Sequence, residues 1–173
     1  MGKMNSGLFS SNDMTWETPI DLFKRIDEVY NFTLDVCAVK ETAKCENFYS
    51  PEIDGLKQSW KGCCWLNPPY GREQIKWITK AYEDSVNNNA TVVCLIPARP
   101  DTRVWHNIIF KYAKGICFIK GRLKFSGKDS APFPSALVVF GDKPNKEQAE
   151  CFKELGAFVS LSYFDDKKIE LKI

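Results

Sequence analysis

The sequence predicts a single α/β domain whose mostly parallel β-sheet has helices on both faces and an antiparallel edge. Short apolar runs typical of buried strands alternate with segments whose apolar residues recur at helical spacing. Towards the C-terminus, strands follow one another with little helix between them, which indicates antiparallel pairing. The chain has 173 residues, 44% of them hydrophobic, enough for one domain with a sizeable core. We expect residues 1–14, rich in Ser, Asn and Gly, to form a flexible arm and residues 15–173 to form the domain.

The first third of the chain is predicted to contain one helix followed by short strands. Thr18 should cap this helix, with Pro19 at its first position and an acid in its first turn. Residues 32–36 form a strand candidate that contains a carboxylate near its end, and a second short strand is expected at 47–49. The apolar run at 61–66 predicts a buried strand.

Two further helix–strand pairs are predicted in the middle of the chain. The first joins a helix at 72–86 to the clearest buried strand, residues 91–96, which Pro97 stops. The second joins an amphipathic helix at 102–112 to a strand at 115–119. The buried face of the helix at 72–86 should carry the apolar residues Ile75, Ile78, Tyr82 and Val86.

The last third should supply the antiparallel edge. A polar, proline-containing loop at 125–134 precedes a strand at 136–140. A final helix follows, which Asn145 should cap and Gly156 should stop. Residues 157–173 alternate in the manner of a hairpin around a charged turn. No internal repeat or domain linker interrupts this order.

Charge is distributed unevenly along the chain, although the net charge is only +2. Residues 13–54 contain ten acidic and four basic side chains, whereas residues 99–128 contain eight basic side chains and one acidic one. A solvated surface explains most single charged residues. A one-sided excess of this size within 30 residues instead indicates a polyanionic partner, and nucleic acid is the usual one.

Composition excludes several kinds of protein. Seven cysteines without a Cys-x-x-Cys pair argue against a disulfide framework, and His106 is the single histidine, which excludes a zinc site built on several histidines. The chain carries no apolar run long enough to span a bilayer and no signal-peptide pattern. We therefore expect a cytoplasmic protein that binds no metal and no membrane, as a monomer or homodimer.

The most informative motif is Asn67-Pro68-Pro69-Tyr70, which directly follows the apolar run of the third predicted strand. Two prolines hold their carbonyl groups in fixed directions and lack backbone N–H groups, the Asn side chain adds an acceptor, and the Tyr adds a flat ring. Acceptors that converge beside a ring suit a planar heterocycle with an exocyclic amino group. A plain Pro-Pro turn with an edge Tyr is the structural alternative. The tetrad resembles the catalytic motif of amino-methyltransferases, which use S-adenosylmethionine (SAM) to methylate adenine, cytosine or glutamine nitrogens.

Six further segments occur in a fixed order around this tetrad. They are Trp16-Glu17-Thr18-Pro19 with Leu22-Phe23, Leu34-Asp35-Val36-Cys37-Ala38, Asp54-Gly55-Leu56 before Trp60, Leu95-Ile96-Pro97-Ala98-Arg99, Gly121-Arg122-Leu123-Lys124-Phe125 and Ala131-Pro132-Phe133-Pro134-Ser135-Ala136. With the tetrad they resemble the phage-type, Dam-like DNA N6-adenine methyltransferases over roughly residues 15–141. The resemblance implies a Rossmann-like SAM-dependent methyltransferase fold, SAM as cofactor, DNA as substrate, and a phage or prophage enzyme acting in the bacterial cytoplasm.

The resemblance also implies roles for individual residues. Asn67, Pro68, Pro69 and Tyr70 would be catalytic, with the amino hydrogens of a flipped adenine on the Asn67 side chain and the Pro68 carbonyl, and the ring on Tyr70. The residues expected to bind SAM are Trp16, Glu17, Thr18, Pro19, Asp35, Cys37, Ala38, Asp54, Gly55 and Leu56. The residues expected to contact DNA are Arg72, Arg99, Arg103, Arg122, Lys124 and Phe133.

Two features depart from the wider pattern of methyltransferases. Val36-Cys37-Ala38 stands where many have a glycine-rich turn, and the tetrad begins with Asn rather than the commoner Asp. Asn cannot act as a base, which fits direct transfer without prior deprotonation. Trp16 and Phe133-Pro134 are candidate lids that keep water from the site.

Structural alternatives accompany the predicted cofactor contacts. Thr18 can be a plain helix cap, Asp35 a turn residue, and Asp54 part of a surface turn. Three other functions also remain open from the sequence: a protein-glutamine methyltransferase, a cytosine-amino methyltransferase, and a DNA-binding relative that has lost catalysis. Neither the recognised DNA sequence nor a preference for duplex or single strands can be read from the chain.

Overall fold

The computed structural model describes residues 16–125 and 130–161. The predicted N-terminal arm at 1–14 and the greater part of the predicted C-terminal hairpin lie outside the described residues. Within them, one β-sheet carries helices on both faces, as the sequence predicts.

Six strands of the described residues form this sheet. They are β1 (Leu34–Asp35), β2 (Cys63–Leu66), β3 (Thr91–Pro97), β4 (Gly115–Ile119), β5 (Ser135–Phe140) and β6 (Gly156–Ser160). Their order across the sheet is β1-β2-β3-β5-β4-β6. β1, β2 and β3 pair in parallel, whereas β5 is antiparallel to β3 and β4, and β6 is antiparallel to β4. Strands β1 to β4 therefore all point in one direction, and β5 and β6 point in the other.

The helices divide between the two faces of the sheet. Helices α1 (Ile20–Tyr30) and α4 (Lys146–Leu155) contact each other and share one apolar cluster with Trp65 of β2. Helix α2 (Gln74–Asn87) packs on the other face with a π-helical turn, Trp105–Ile109, that runs into the short helix α3 (Phe110–Tyr112). The α/β class with a Rossmann-like arrangement is thereby confirmed. No helix in the described ranges is long and apolar enough to cross a membrane.

Two elements follow their local sequence signals closely. Strand β4 spans the predicted residues, and α4 begins after Asn145 as expected. The Asn145 side chain accepts from the Gln148 N–H at 2.9 Å, and the Gln148 side chain accepts from the Asn145 N–H at 2.9 Å, which is a capping box. The helix ends before Gly156, where a Cβ would overlap the carbonyl of Phe118 on the neighbouring strand.

The start of the first helix differs from the prediction. Helix α1 begins at Ile20, Pro19 occupies the cap position with extended ψ, and no side chain in the described part of the chain caps the helix. Thr18 is therefore not the N-cap. Its hydroxyl instead accepts a hydrogen bond from Asn67, which is 49 residues away in the chain. The Thr18 hydroxyl thus makes a tertiary contact instead of the local helix cap that the sequence predicted.

The buried face of α2 was predicted only in part. Ile78 is buried and Tyr82 packs against the core as expected, but Ile75 and Val86 are exposed. The other buried positions are Trp77, Ala81 and Asp84. The buried face differs from the predicted one because it includes Asp84. The Asp84 carboxylate accepts from the Trp60 N–H at 3.0 Å and pairs with Lys80 at 3.0 Å. The predicted strand at 47–49 is reduced to one bridge between Phe48 and Asp35.

Candidate active site

The carboxyl ends of β1, β2 and β3 lie at one edge of the sheet because these strands are parallel. Asp35 ends β1, the Asn67 tetrad follows β2, and Arg99 follows β3. The antiparallel strand β5 begins at the same edge, where Ser135 lies opposite Pro97. Ligands of open α/β sheets bind beyond this edge, so the topology gathers the predicted site residues where a ligand is expected.

A cavity of about 500 Å³ opens at this edge, a volume that suits a small-molecule ligand or cofactor. Eleven of the predicted catalytic and cofactor-binding residues line it: Trp16, Glu17, Thr18, Asp35, Cys37, Ala38, Asp54, Gly55, Asn67, Pro68 and Pro69. The other wall residues are Val39, Thr42, Lys44, Tyr49, Ser50, Pro51, Trp65 and Trp77. Pro19, Leu56 and Tyr70 are not in the wall.

A larger and shallower depression of about 830 Å³ adjoins the cavity along Val39, Tyr49 and Ser50. Its charged wall residues are the acidic Glu41, Glu46 and Glu52 and the basic Lys40. It contains no residue of the tetrad, so we place the chemistry in the smaller cavity.

The Asn67 side chain is held in one orientation. Its Nδ2 group donates to the Trp16 carbonyl at 2.5 Å and to the Thr18 hydroxyl at 3.0 Å. A carbonyl can only accept, so the nitrogen must face Trp16 and the oxygen must lie on the other side. Asn67 Oδ1 is buried and has no hydrogen-bond partner among the described residues. Because an unsatisfied buried acceptor is costly, this oxygen is suited to accept from a ligand.

Tyr70 lies beside the cavity in an aromatic cluster of Trp16, Tyr70, Phe125 and Phe133. Tyr70 is 7% exposed, and its ring packs edge to face against Phe133 with 5.4 Å between the ring centroids. The ring centroid of Trp16 lies 5.5 Å from that of Phe125 and 5.3 Å from that of Phe133. Trp16 also lines the cavity. Burial raises the pKa of the Tyr70 hydroxyl above its usual value, so Tyr70 supplies a neutral ring rather than a charge.

Asp35 organises the loop that follows β1. One carboxylate oxygen accepts from the Cys37 N–H at 3.3 Å and the other from the Lys44 N–H at 3.0 Å. Burial raises the pKa of this carboxyl group, and the two backbone hydrogen bonds and the Lys44 charge oppose that rise. Both oxygens thus already have partners on the loop, which is the turn role that the sequence left open for this residue.

Lys44 is a wall residue that sequence reasoning did not predict. Its side chain is 8% exposed, and its ammonium group forms an ion pair with Glu17 at 3.0 Å. The pair ties the segment before α1 to the loop after β1. No local motif marks Lys44, since its contacts at the cavity are with Asp35 and Glu17, which are distant in the sequence.

The Asp54-Gly55-Leu56 segment forms a short 3-10 turn, Gly55–Lys57. The Asp54 carboxylate accepts from the Leu56 N–H at 3.3 Å and pairs with Lys57 at 3.0 Å. Gly55 is buried, and a Cβ there would overlap the carbonyl oxygen of Val36 in the first loop. Glycine therefore lets the turn approach the loop after β1 closely enough to share the cavity wall.

The predicted DNA contacts fall into two groups. Arg72, Arg99, Arg103, Arg122 and Lys124 are exposed, and none of them forms an ion pair in the described part of the chain. Arg72, Arg99, Arg122 and Lys124 lie on the loops after β2, β3 and β4, at the edge that also bears Asn67, and Arg103 lies in the first helical turn after the β3 loop. Phe133 differs, because it is buried in the aromatic cluster.

Neither metal nor thiolate chemistry is indicated at this site. Within residues 16–125 and 130–161, no three His, Cys, Asp or Glu side chains are grouped to hold a metal ion. Cys37 lines the cavity, but burial and the neighbouring Asp35 raise the pKa of its thiol to about 12. The thiol is therefore protonated at neutral pH and a poor nucleophile.

Comparisons with known proteins identify the family of this chain. A sequence model of the family described as DNA N-6-adenine-methyltransferase (Dam) matches residues 5–158. The DNA N-6-adenine-methyltransferase of Haemophilus phage HP1 is 33% identical over 138 residues, which cover 74% of this chain and 79% of the HP1 protein. The protein of the same name from Escherichia phage T1 is 35% identical over 111 residues, covering 62% of this chain and 45% of the T1 protein. This chain therefore belongs to the DNA N-6-adenine-methyltransferase (Dam) family.

Proposed function

We propose that this protein transfers a methyl group from SAM to the exocyclic N6 amino group of adenine in DNA. The observation that carries the proposal is Asn67 Oδ1, a buried acceptor without a partner in the described residues, on the wall of a cofactor-sized cavity. An exocyclic amino group supplies the hydrogen that this oxygen lacks. Family membership and the names of the phage relatives support adenine as the base.

The residues of the cavity wall fit SAM as the cofactor. Trp16 and Trp77 offer apolar surface to a nucleoside, and Glu17 and Lys44 offer opposite charges to an amino acid that carries both an ammonium and a carboxylate. Trp65 contributes a buried indole N–H with no partner among the described residues. When bound, SAM supplies a methyl group on a positively charged sulfur.

Asn67 would orient the amino group rather than deprotonate it. One amino hydrogen goes to Asn67 Oδ1 and the other to the Pro68 carbonyl, which directs the nitrogen lone pair towards the methyl donor. A carboxamide cannot accept the proton as a base, so the amino nitrogen reacts while neutral and loses its proton afterwards. The contribution of these residues is therefore chiefly positioning.

The base must leave the DNA helix to reach this site, at a cost of roughly a few kcal/mol. Stacking on an aromatic ring generally returns about 1–3 kcal/mol per base, and Tyr70 is the ring next to Asn67. Since Tyr70 is covered by the aromatic cluster, we propose that Phe133 or Trp16 moves aside when the base enters. The exposed basic residues at the same edge would hold the phosphates.

The test is methyl transfer from tritiated SAM into DNA, with direct mapping of the modified base. Asn67→Ala and Tyr70→Ala should each lower turnover at least tenfold, an order of magnitude typical of lost positioning, and should leave SAM binding nearly intact. Tyr70→Phe is the matched control, because the hydroxyl has only a long 3.5 Å contact with the Leu95 carbonyl and the ring is retained.

Each alternative predicts a different outcome. Label on cytosine or on a protein glutamine would reassign the substrate. DNA binding without any transfer would indicate a relative that has lost catalysis. Wild-type turnover in both alanine variants would remove the tetrad from the mechanism.

A further inference from the structure

We infer that Thr18 is a positioning residue: its hydroxyl and the Trp16 carbonyl together orient the Asn67 amide so that its oxygen remains free to accept the substrate amino group. The inference rests on the proposed function and deepens it. Thr18 was expected from the sequence to contact the cofactor or to cap a helix, and neither of these roles requires a contact with the tetrad.

Thr18 is buried and is hydrogen-bonded directly to the tetrad. Thr18 is 3% exposed, and its hydroxyl accepts from Asn67 Nδ2 at 3.0 Å. It does not cap α1, whose first residue is Ile20. The contact joins the segment before α1 to the end of β2, so it depends on the tertiary fold and not on local structure.

The shape of an amide side chain carries the second step. The two ends of a carboxamide have nearly the same size, but one end donates and the other accepts. A flipped Asn67 would present N–H groups to an amino group that must itself donate. The Trp16 carbonyl opposes the flip because it can only accept. The Thr18 hydroxyl accepts the second hydrogen of the same nitrogen, so both hydrogens are held and rotation of the amide is restricted.

Two substitutions separate this role from packing. Thr18→Val keeps the shape of the side chain and removes the hydroxyl, whereas Thr18→Ser keeps the hydroxyl and removes the methyl group. Positioning predicts that Thr18→Val lowers kcat about tenfold to a hundredfold, the range expected when a reacting group is misplaced. It also predicts that Thr18→Ser stays within about threefold of wild type, since the hydrogen-bond acceptor is retained. If Thr18 acted only through packing, Thr18→Ser, which loses the methyl group, would lower kcat more than Thr18→Val.

The cofactor must be measured separately because Thr18 also lines the cavity. Steady-state methyl transfer at saturating SAM and DNA gives kcat, and calorimetry gives the Kd for SAM. Under the inference, Thr18→Val lowers kcat with little change in that Kd. If Thr18 acted only through the cofactor, Thr18→Val would raise the Kd and saturating SAM would restore the rate.

Thr33→Val is the matched control. Thr33 is exposed, its hydroxyl donates to the Cys63 carbonyl at 3.1 Å, and it does not line the cavity. The same change of side chain there should leave kcat and SAM binding as in wild type. Thermal unfolding of all three variants reports whether each one is folded at the assay temperature.

A second measurement does not need activity. The side-chain amide hydrogens of Asn67, assigned by NMR through their loss in Asn67→Ala, should exchange slowly with solvent in wild type and in Thr18→Ser, and faster in Thr18→Val. Unchanged exchange or unchanged kcat in Thr18→Val would overturn the inference, as would a Thr18→Ser enzyme as slow as Thr18→Val. If wild type transferred no methyl group to DNA, the proposed function would fail, while the exchange rates would still report whether Thr18 holds the amide.

Discussion

A single amide explains why the tetrad of this protein begins with Asn. Asn67 donates through Nδ2 to the Trp16 carbonyl and the Thr18 hydroxyl, and its oxygen is left for a ligand. A carboxylate has no hydrogen to donate. At this position it would place a negatively charged oxygen against the Trp16 carbonyl oxygen. The choice between Asn and Asp is therefore set by the segment that precedes α1 as much as by the chemistry of the substrate.

Asn67→Asp is accordingly expected to be harmful although it is nearly isosteric and supplies a stronger acceptor. We expect turnover to fall at least tenfold, because repulsion from Trp16 displaces the group that orients the substrate. The thermal midpoint should also fall, since a partly buried hydrogen bond is replaced by contact between two acceptors. Methyl transfer and thermal unfolding measure the two effects. An Asn67→Asp variant as stable and active as wild type would show that the Trp16 contact does not constrain this position.

At the scale of elements, local signals predicted what local contacts determine. The Asn145 helix cap and the boundaries of β4 follow from neighbouring residues, and the structure confirms both. Part of the buried face of α2 was predicted wrongly because Asp84 is buried by a hydrogen bond to Trp60, 24 residues away. Lys44 was missed for the same reason, since it reaches the cavity through its contacts with Asp35 and Glu17. Periodicity contains no information about such distant pairs.

The approach of the 3-10 turn to the first loop is a further constraint that no periodicity reveals. Gly55 lies where a Cβ would overlap the Val36 carbonyl and press on Trp77. Gly55→Ala should therefore push the turn away from β1, lower the free energy of unfolding by about 1–3 kcal/mol, and weaken SAM binding by opening the cavity wall. Urea unfolding and calorimetry test the two effects.

Gly121→Ala provides the comparison for Gly55. Gly121 has a positive φ of 79°, but a Cβ added there would have no atom of the described residues within 4 Å, so alanine adds backbone strain without overlap. It should lower stability less than Gly55→Ala and leave SAM binding unchanged. Equal SAM affinity in Gly55→Ala and wild type would show that the turn does not shape the cofactor site.

Across the whole molecule, acidic and basic residues lie on different sides of the tetrad at the edge of the sheet that bears it. Residues 16–54, which belong to the acidic stretch of the sequence and include β1, supply much of the cavity wall, whereas exposed basic residues follow β3 and β4. The tetrad follows β2, which lies between β1 and β3. Under the proposed function, a positively charged cofactor enters from the acidic side and a polyanion from the basic side. The two reactants would then meet at Asn67.

The charge asymmetry predicts how DNA affinity depends on salt. Each phosphate contact on duplex DNA contributes about 0.9 to the slope of log affinity against log salt, because binding releases counterions. Arg103 is exposed and unpaired in the described residues. Arg103→Ala should weaken binding to all DNA sequences alike and flatten the slope by roughly one unit. Titrations at several salt concentrations, with two unrelated duplexes, measure both quantities.

Lys143→Ala tests whether the position of the charge matters. Lys143 is also exposed, but it follows β5, which runs opposite to β3, so it lies at the other edge of the sheet. Its removal lowers the net charge by the same amount and should leave the slope near that of wild type. If Lys143→Ala flattened the slope as much as Arg103→Ala, net charge rather than a defined DNA-binding edge would explain the affinity. A wild type whose affinity did not change with salt would exclude phosphate contacts from the basic edge altogether.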